Sequence, residues 1–170
     1  MTAGFIDVNT QTSRVSCNDT EYTCAIGRAG AIDKTAKREG DGATPRGRYP
    51  VRYLYWRPDR LLQPQTGIET RELSPASGWC DDPADIAYNR AVNLPYRARA
   101  EALWRDDRIY DLILVIGHND DPPVAGLGSA IFVHIARENY AATEGCVALK
   151  RIDLLALLEN IGPQTVIRIN

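Results

Sequence analysis

The hydrophobic pattern of the chain changes character along its length. Up to about residue 58 it alternates in short runs, the period-2 signature of strands with one buried face. "GFIDV" is a short apolar run, and "RVSC" and "EYTCAIG" alternate around Asn18 and Asp19, a hairpin signal. In "GDGATPRGRYPVRYLYW" a Gly-rich turn precedes a strand from about Tyr49 to Trp56, indicated by its aromatic and β-branched residues. From 58 to 96 the periodicity fades. This stretch is rich in Pro, Asp and Gly but holds Trp79, Tyr88 and Tyr96, so it reads as ordered loops that serve as a lid or binding element. "RARAEALWRDD" reads as a short helix. "YDLILVIGH" and "GSAIFVHIA" are continuous apolar runs, as strands buried on both faces require. In "DLLALLENIGP" apolar residues at 154, 155, 157, 158 and 161 make a helical stripe, with Asp153 in its first turn and Gly162–Pro163 ending it. "TVIRI" closes the chain as a strand.

These elements predict a mainly β chain with two or three short helices. Strands near both ends favour a sandwich or barrel-like mixed sheet over a doubly wound fold. A length of 170 residues, 44% hydrophobic and 25% charged, fits one domain spanning 1–170 with a core of its own. A net charge of -2 gives no footing for nucleic acid or an anionic membrane. No apolar run approaches the ~20 residues of a membrane helix. The opening "MTAGFIDVNTQTSRVSC" has no basic stretch followed by an apolar one, so no secretory signal is visible there. The four cysteines, Cys17, Cys24, Cys80 and Cys146, are irregularly spaced without a C-x-x-C, which disfavours a zinc ribbon. Cys17 and Cys24 flank "NDTEYT" without facing each other in register, and reduced, partly buried thiols are expected. No cofactor is indicated, and a monomer is favoured.

The chain has two histidines, and one of them, His134, precedes Cys146 by twelve residues. A thiol needs a base to become a nucleophile, and imidazole is the usual one. His134 lies in a predicted strand, which fixes its direction and makes a rigid platform for a base. The loop "ARENYAATEG" is long enough for the chain to return beside that strand. Gly145 would let a substrate carbonyl approach, and the backbone N–H groups of Gly145 and Cys146 could donate to a developing oxyanion. On spacing alone a packed thiol and a structural histidine are the commoner outcome. Zinc held by His118, His134 and Cys146 is a third possibility, though the spacing matches no familiar ligand pattern.

"FVHIA" followed by "TEGCVAL" resembles the active-site signature of the L,D-transpeptidase (YkuD) catalytic domain, in which a strand histidine precedes a Ser/Thr-x-Gly-Cys turn. "DGATPRGRYPV" is similar to that family's Thr-Pro-x-Gly segment. The resemblance runs from about Phe5 to Ile169. It implies a β-sandwich-like fold, a periplasmic or cell-wall location, and peptidoglycan stem peptides as donor and acceptor. It further implies a cysteine thioester, loss of a terminal D-amino acid, and acylation by carbapenems. Matched position by position, Cys146 is the nucleophile, His134 the general base, Gly145 an oxyanion donor, and Thr143 the Ser/Thr of the turn. Glu144 stands where many members carry His, Ile135 where many carry Gly, and Ala148 where many carry Arg, which suggests altered substrate contacts. In this context His118, Trp79, Asp81, Tyr88 and Asn89 are candidates to line the substrate cleft, each with a purely structural alternative. The carboxylate pairs Asp81/Asp82 and Asp120/Asp121 are candidates to hold ammonium groups of a diamino acid. A hydrolase of the same fold and a non-catalytic peptide-binding domain are the competing functions.

Overall fold

The computed structural model describes residues 4–170, so the first three residues of the expected 1–170 domain lie outside the described part. The hairpin at Asn18–Asp19 forms as the alternation requires. Strands β1 (Phe5–Asn9), β2 (Arg14–Cys17) and β3 (Thr20–Ala25) are antiparallel neighbours, with Cys17 opposite Thr20 across the two-residue turn. Asn18 supplies the left-handed φ of 53° that the turn demands. A short β4 (Ala31–Asp33) runs parallel to the start of β5 (Thr44–Trp56), which is longer than the Tyr49–Trp56 strand expected.

The length of β5 organises the fold. Its first part, Gly47–Pro50, pairs with β13 (Val166–Ile169), and its second, from Val51 onward, pairs with β10 (Leu112–Ile116). β10 is flanked on its other side by β11 (Phe132–Ile135), which runs parallel to β12 (Val147–Leu149); β12 pairs with β3. Because β1 pairs with β13, the path β10-β11-β12-β3-β2-β1-β13-β5 returns to β10 and forms a closed circuit of mixed strands. One face of these strands points inward, and Ile6, Val8, Leu54, Leu114, Val133, Leu149 and Ile167 make the main core there. The helix α1 (Arg151–Leu158) adds Leu154, Leu157 and Leu158 to it, the stripe read from the sequence. All four cysteines are free thiols.

Two expectations change. The segment 58–96 is not loop alone: it contributes β6 (Thr70–Glu72), which joins β5, and β7 (Ser77–Cys80) and β8 (Ala91–Asn93). "RARAEALWRDD" is not helical. It carries β9 (Ala100–Ala102), antiparallel to β7 on the side opposite β8. Its Ala, Arg and Glu favour a helix locally, but so short a segment is marginal alone, and hydrogen bonding to Gly78–Cys80 decides its state. One α-helix and a 3₁₀ turn at Glu138–Tyr140 therefore stand where two or three helices were expected, among the described residues. The small sheet β8-β7-β9 covers the outer face of β10 and β11. Trp79 meets Phe132 edge-to-face with ring centroids 5.0 Å apart, and Leu103, Tyr110, Ile113 and Val115 complete a second core there. No helix among the described residues is long and apolar enough to cross a membrane.

Candidate active site

The floor of the site follows from strand parity. In the β11–β12 pair, Val133 faces Val147 and His134 faces Ala148. Side chains alternate, so Val133, Ile135, Val147 and Leu149 enter the main core, while Phe132, His134, Cys146 and Ala148 share the outer face under the small sheet. Two parallel strands need a crossover. The segment from Ala136 to Gly145 makes it, and so brings a thiol and an imidazole twelve residues apart onto one surface.

His134 is buried, and its Nδ1 lies 2.9 Å from the Ile135 carbonyl oxygen. A carbonyl only accepts, which places the proton of the neutral ring on Nδ1 and leaves the Nε2 lone pair available as a base. The ring sits at the edge of Tyr110, centroids 5.3 Å apart. Burial lowers its pKa to about 4, against the pull of the Ile135 hydrogen bond. Cys146 is also buried; its Sγ donates to the Ala130 carbonyl (3.2 Å) and accepts the Phe132 N–H (3.3 Å). Burial pushes the thiol up to about 12; the carboxylate of Glu101 adds to the rise, and the Phe132 N–H and the Lys37 ammonium ease it. At neutral pH the resting pair is therefore an uncharged thiol and an uncharged imidazole.

The turn before Cys146 is tightly built. Thr143 Oγ1 accepts the Gly145 N–H (3.1 Å) and donates to the Cys146 carbonyl (2.6 Å). Thr143 N donates to Ile26 O, and Arg28 N donates to Thr143 O, docking the turn on the chain after β3. Gly145 has φ +134°, and a Cβ there would lie 2.9 Å from the Ala43 carbonyl oxygen. Only glycine fits that approach. The Gly145 N–H, expected to face an oxyanion, is taken up inside the turn; the Cys146 N–H makes no hydrogen bond among the described residues.

Over this floor lies a cleft of about 560 Å³. Thr143, Glu144 and Asp81 line it, as do Lys37, Glu39, Glu101, Arg105, Tyr110 and Arg137, which the sequence did not single out. Glu101 accepts from Tyr110 Oη at 2.7 Å, and burial raises its carboxyl pKa. Arg105 forms a two-point pair with Asp107 (2.8 and 2.7 Å). Glu144 is exposed and paired with Arg28 at 2.9 Å, and Asp81 accepts from Arg99 at 3.0 Å. The cleft thus carries both signs of charge above an uncharged reactive pair. The signal that would have found Glu101 is its place in a strand facing the cleft, which the helical reading of its segment concealed.

The remaining candidates lie elsewhere. His118, Trp79 and Asn89 line a neighbouring concavity with Arg52 and Asp120. His118 is buried, with Nε2 3.1 Å from the Leu127 carbonyl and its ring at the edge of Tyr49, and burial lowers its pKa. Asn89 Oδ1 accepts from Trp79 Nε1 and Ala130 N (both 3.0 Å), and its Nδ2 donates to the carbonyls of His118 (3.0 Å) and Asn119 (2.7 Å). It holds the backbone that in turn receives the Cys146 thiol. Tyr88 accepts the Gly128 N–H at 3.0 Å and bonds Glu39, which also accepts from Ser129 Oγ at 2.8 Å. The aspartate pairs are separated: Asp120 is clamped by Arg52 (2.8 and 3.2 Å), and Asp82 caps a turn at Ala84 N (3.0 Å). Among the described residues no group of three or more His, Cys, Asp or Glu side chains could hold a metal ion.

Comparison with known proteins follows this geometry. Among curated proteins no match is found. Among solved structures, an L,D-transpeptidase from Mycobacterium tuberculosis is similar at 11% identity and TM-score 0.48, over 99% of this chain and 57% of that one. L,D-transpeptidase 3 from M. tuberculosis, in complex with a faropenem-derived adduct, is similar at 12% identity and TM-score 0.49, over 99% and 60%. The helical cell shape determining protein Pgp2 from Campylobacter jejuni is similar at 15% identity and TM-score 0.43, over 99% and 47%. The chain thus spans about half to three fifths of the length of these proteins. The description of the L,D-transpeptidase catalytic domain, YkuD, matches residues 3–169, and the chain belongs to that family.

Proposed function

We propose that this chain is a cysteine acyltransferase that forms cross-links between peptidoglycan stem peptides through a thioester on Cys146. The observation that carries the reading is the shared face of β11 and β12, which sets Cys146 and His134 together on the floor of the cleft, with His134 Nε2 left as the free nitrogen. In the first step the thiol leaves the Ala130 carbonyl and sulfur attacks the scissile carbonyl of the donor. His134 Nε2 takes the thiol proton and passes it to the departing amine of the terminal D-amino acid. Because burial disfavours both the thiolate and the imidazolium, proton transfer accompanies S–C bond formation rather than preceding it. In the second step a neutral amine of a neighbouring stem peptide attacks the thioester; the C–N bond forms, the C–S bond breaks, and the amine proton passes through His134 Nε2 to the departing Cys146 sulfur.

Attack by amine over water requires a positioned nucleophile and restricted solvent. Of the segment 58–96, Asp81 lines the cleft and serves this end, while Trp79 supports the floor from behind Phe132. Glu101, Glu39 and Asp81 offer carboxylates for an acceptor ammonium, one of which must take its proton before attack. The site of action is the periplasm or cell wall, where such peptides occur.

The test is incubation of disaccharide-tetrapeptide with the protein and mass analysis of the products. Cross-linked dimers with loss of D-alanine are expected. Shortened monomers alone would make the protein a carboxypeptidase, and no change would leave a binding domain. Faropenem should add one adduct to the wild type and none to Cys146→Ala, a small-for-small change that leaves little cavity.

A further inference from the structure

The segment "DGATPRGRYPV" supplies no group to the chemistry above, yet it underlies the nucleophile turn. Ala43 sets its carbonyl oxygen against Gly145. Gly42 sets its own against Gly27, where an added Cβ would lie 2.3 Å from that oxygen and 2.9 Å from Thr44 N. Position 27 therefore admits no side chain. Thr44 is fully buried, and its Oγ1 accepts the Gly27 N–H at 2.8 Å. The backbone of Thr44 is fixed in turn, since its N–H donates to Gly30 O at 2.9 Å.

Gly27 is the residue that meets the nucleophile turn. It forms a parallel bridge with Thr143, in which Thr143 N donates to Ile26 O (2.9 Å) and Arg28 N donates to Thr143 O (2.7 Å). Thr143 Oγ1 then donates to the Cys146 carbonyl at 2.6 Å and accepts the Gly145 N–H at 3.1 Å. A continuous chain of contacts thus runs from the Thr44 hydroxyl through Gly27 and Thr143 to the Cys146 backbone. The sulfur is held separately, by Ala130 O and Phe132 N at the entry to β11. Backbone and thiol of Cys146 are therefore placed by different parts of the chain. Because the Gly145 N–H is taken up inside the turn, the Cys146 N–H is the donor left for an oxyanion, and the seating of the turn decides where it points.

We propose that Thr44 is a positioning residue for acyl transfer: its hydroxyl seats the nucleophile turn through Gly27, so that the Cys146 N–H meets the developing oxyanion. This rests on the acyl-transfer reading above. Valine has the shape of threonine but offers no acceptor, so Thr44→Val leaves the buried Gly27 N–H unmade. The Ile26–Arg28 strip then shifts toward another acceptor, and Thr143 moves with it. A displacement approaching ~1 Å at the reacting centre costs up to ~10²-fold in rate. The loss falls on the transition state and leaves ground-state binding alone, because the oxyanion exists only there.

The test compares two reactions of Cys146 in the wild type, Thr44→Val and Thr44→Ser, well below their melting temperatures. Faropenem acylation breaks the lactam C–N bond and develops an oxyanion; alkylation by iodoacetamide expels iodide and develops none. Thr44→Val should lower the maximal acylation rate about 10- to 100-fold, with the half-saturating faropenem concentration and the alkylation rate each within about twofold of wild type. Thr44→Ser, which keeps the hydroxyl, should restore acylation. Acylation of Thr44→Val at the wild-type rate, an equal loss in both reactions, or no rescue by serine would overturn the proposal, since a change that merely loosens the fold moves both reactions together. Should Thr44→Val fail to fold, Thr44→Ala set against Thr44→Ser isolates the hydroxyl, and equal acylation of that pair overturns it. The expected pattern in a protein that forms no product from stem peptides would retain Thr44 and remove the cross-linking reading. Cross-link formation by the wild type beside normal acylation of Thr44→Val would do the reverse, and a wild type inert to faropenem would overturn both.

Discussion

Asn89 should be the most sensitive single position outside the reactive pair, because one buried amide satisfies four partners. It is 5% exposed and serves Trp79 Nε1, Ala130 N and the carbonyls of His118 and Asn119. Asn89→Ala orphans two buried donors and leaves two carbonyls short of one donor each. A buried donor left unmade costs ~1–3 kcal/mol, so the two donors alone give about 2–6 kcal/mol. Asn89 also sits at φ 56°, where an alanine adds ~1 kcal/mol or more. A loss of about 4 kcal/mol is therefore expected, at the severe end for one substitution. Asn89→Gly separates the two causes. Glycine relieves the backbone but adds unfolded-state entropy of ~0.5–1 kcal/mol, so it should fall within about 1 kcal/mol of the alanine variant. Urea unfolding followed by tryptophan fluorescence gives these values. The same network predicts slower faropenem acylation, since Asn89 holds the Ala130 backbone, whose carbonyl accepts the Cys146 thiol. A loss below 1 kcal/mol, or a glycine variant as stable as the wild type, would refute the reasoning.

His134→Gln should lower the acylation rate ~10²–10⁴-fold through loss of the base, read by stopped-flow mass or absorbance. It should also change acid stability. The folded pKa of His134, about 4, lies below the ordinary 6.5, so the unfolded chain binds the proton first. Its contribution is complete above pH 6.5 and is lost as the pH falls toward 4, worth roughly 3 kcal/mol. Urea midpoints between pH 7 and pH 4 should fall less steeply in the glutamine variant, and parallel curves would contradict the assigned burial. Gly145→Ala must fit a Cβ 2.9 Å from the Ala43 carbonyl at φ +134°, a clash and strain of ~2–4 kcal/mol together. It should lower the melting temperature and slow acylation, whereas a variant acylated at the wild-type rate would mean that the turn yields freely.

The sequence by itself determined the elements whose local pattern and burial agree. The Asn18–Asp19 hairpin, the apolar strands at 112–116 and 132–135, the apolar stripe of the helix and the closing strand all follow from periodicity and turn chemistry, although the helix stops at Leu158, short of the Gly162–Pro163 end read from the sequence. It also pointed to Cys146 and His134, because two scarce residue types stand in a recognisable order. What it could not decide was everything set by which strands meet. Ala100–Ala102 is a strand because Gly78–Cys80 lies beside it, and that partner is invisible to a local helical preference. Trp79, Asn89 and His118 face away from the cleft, into packing and hydrogen bonds supplied by distant loops, although their residue types suit a binding site equally well. Lys37, Glu101 and Arg105 reach the cleft from segments with no motif of their own. The protonation of the reactive pair belongs to the tertiary structure too, because desolvation, which holds both groups neutral, depends on what the folded chain places around them rather than on their neighbours in sequence.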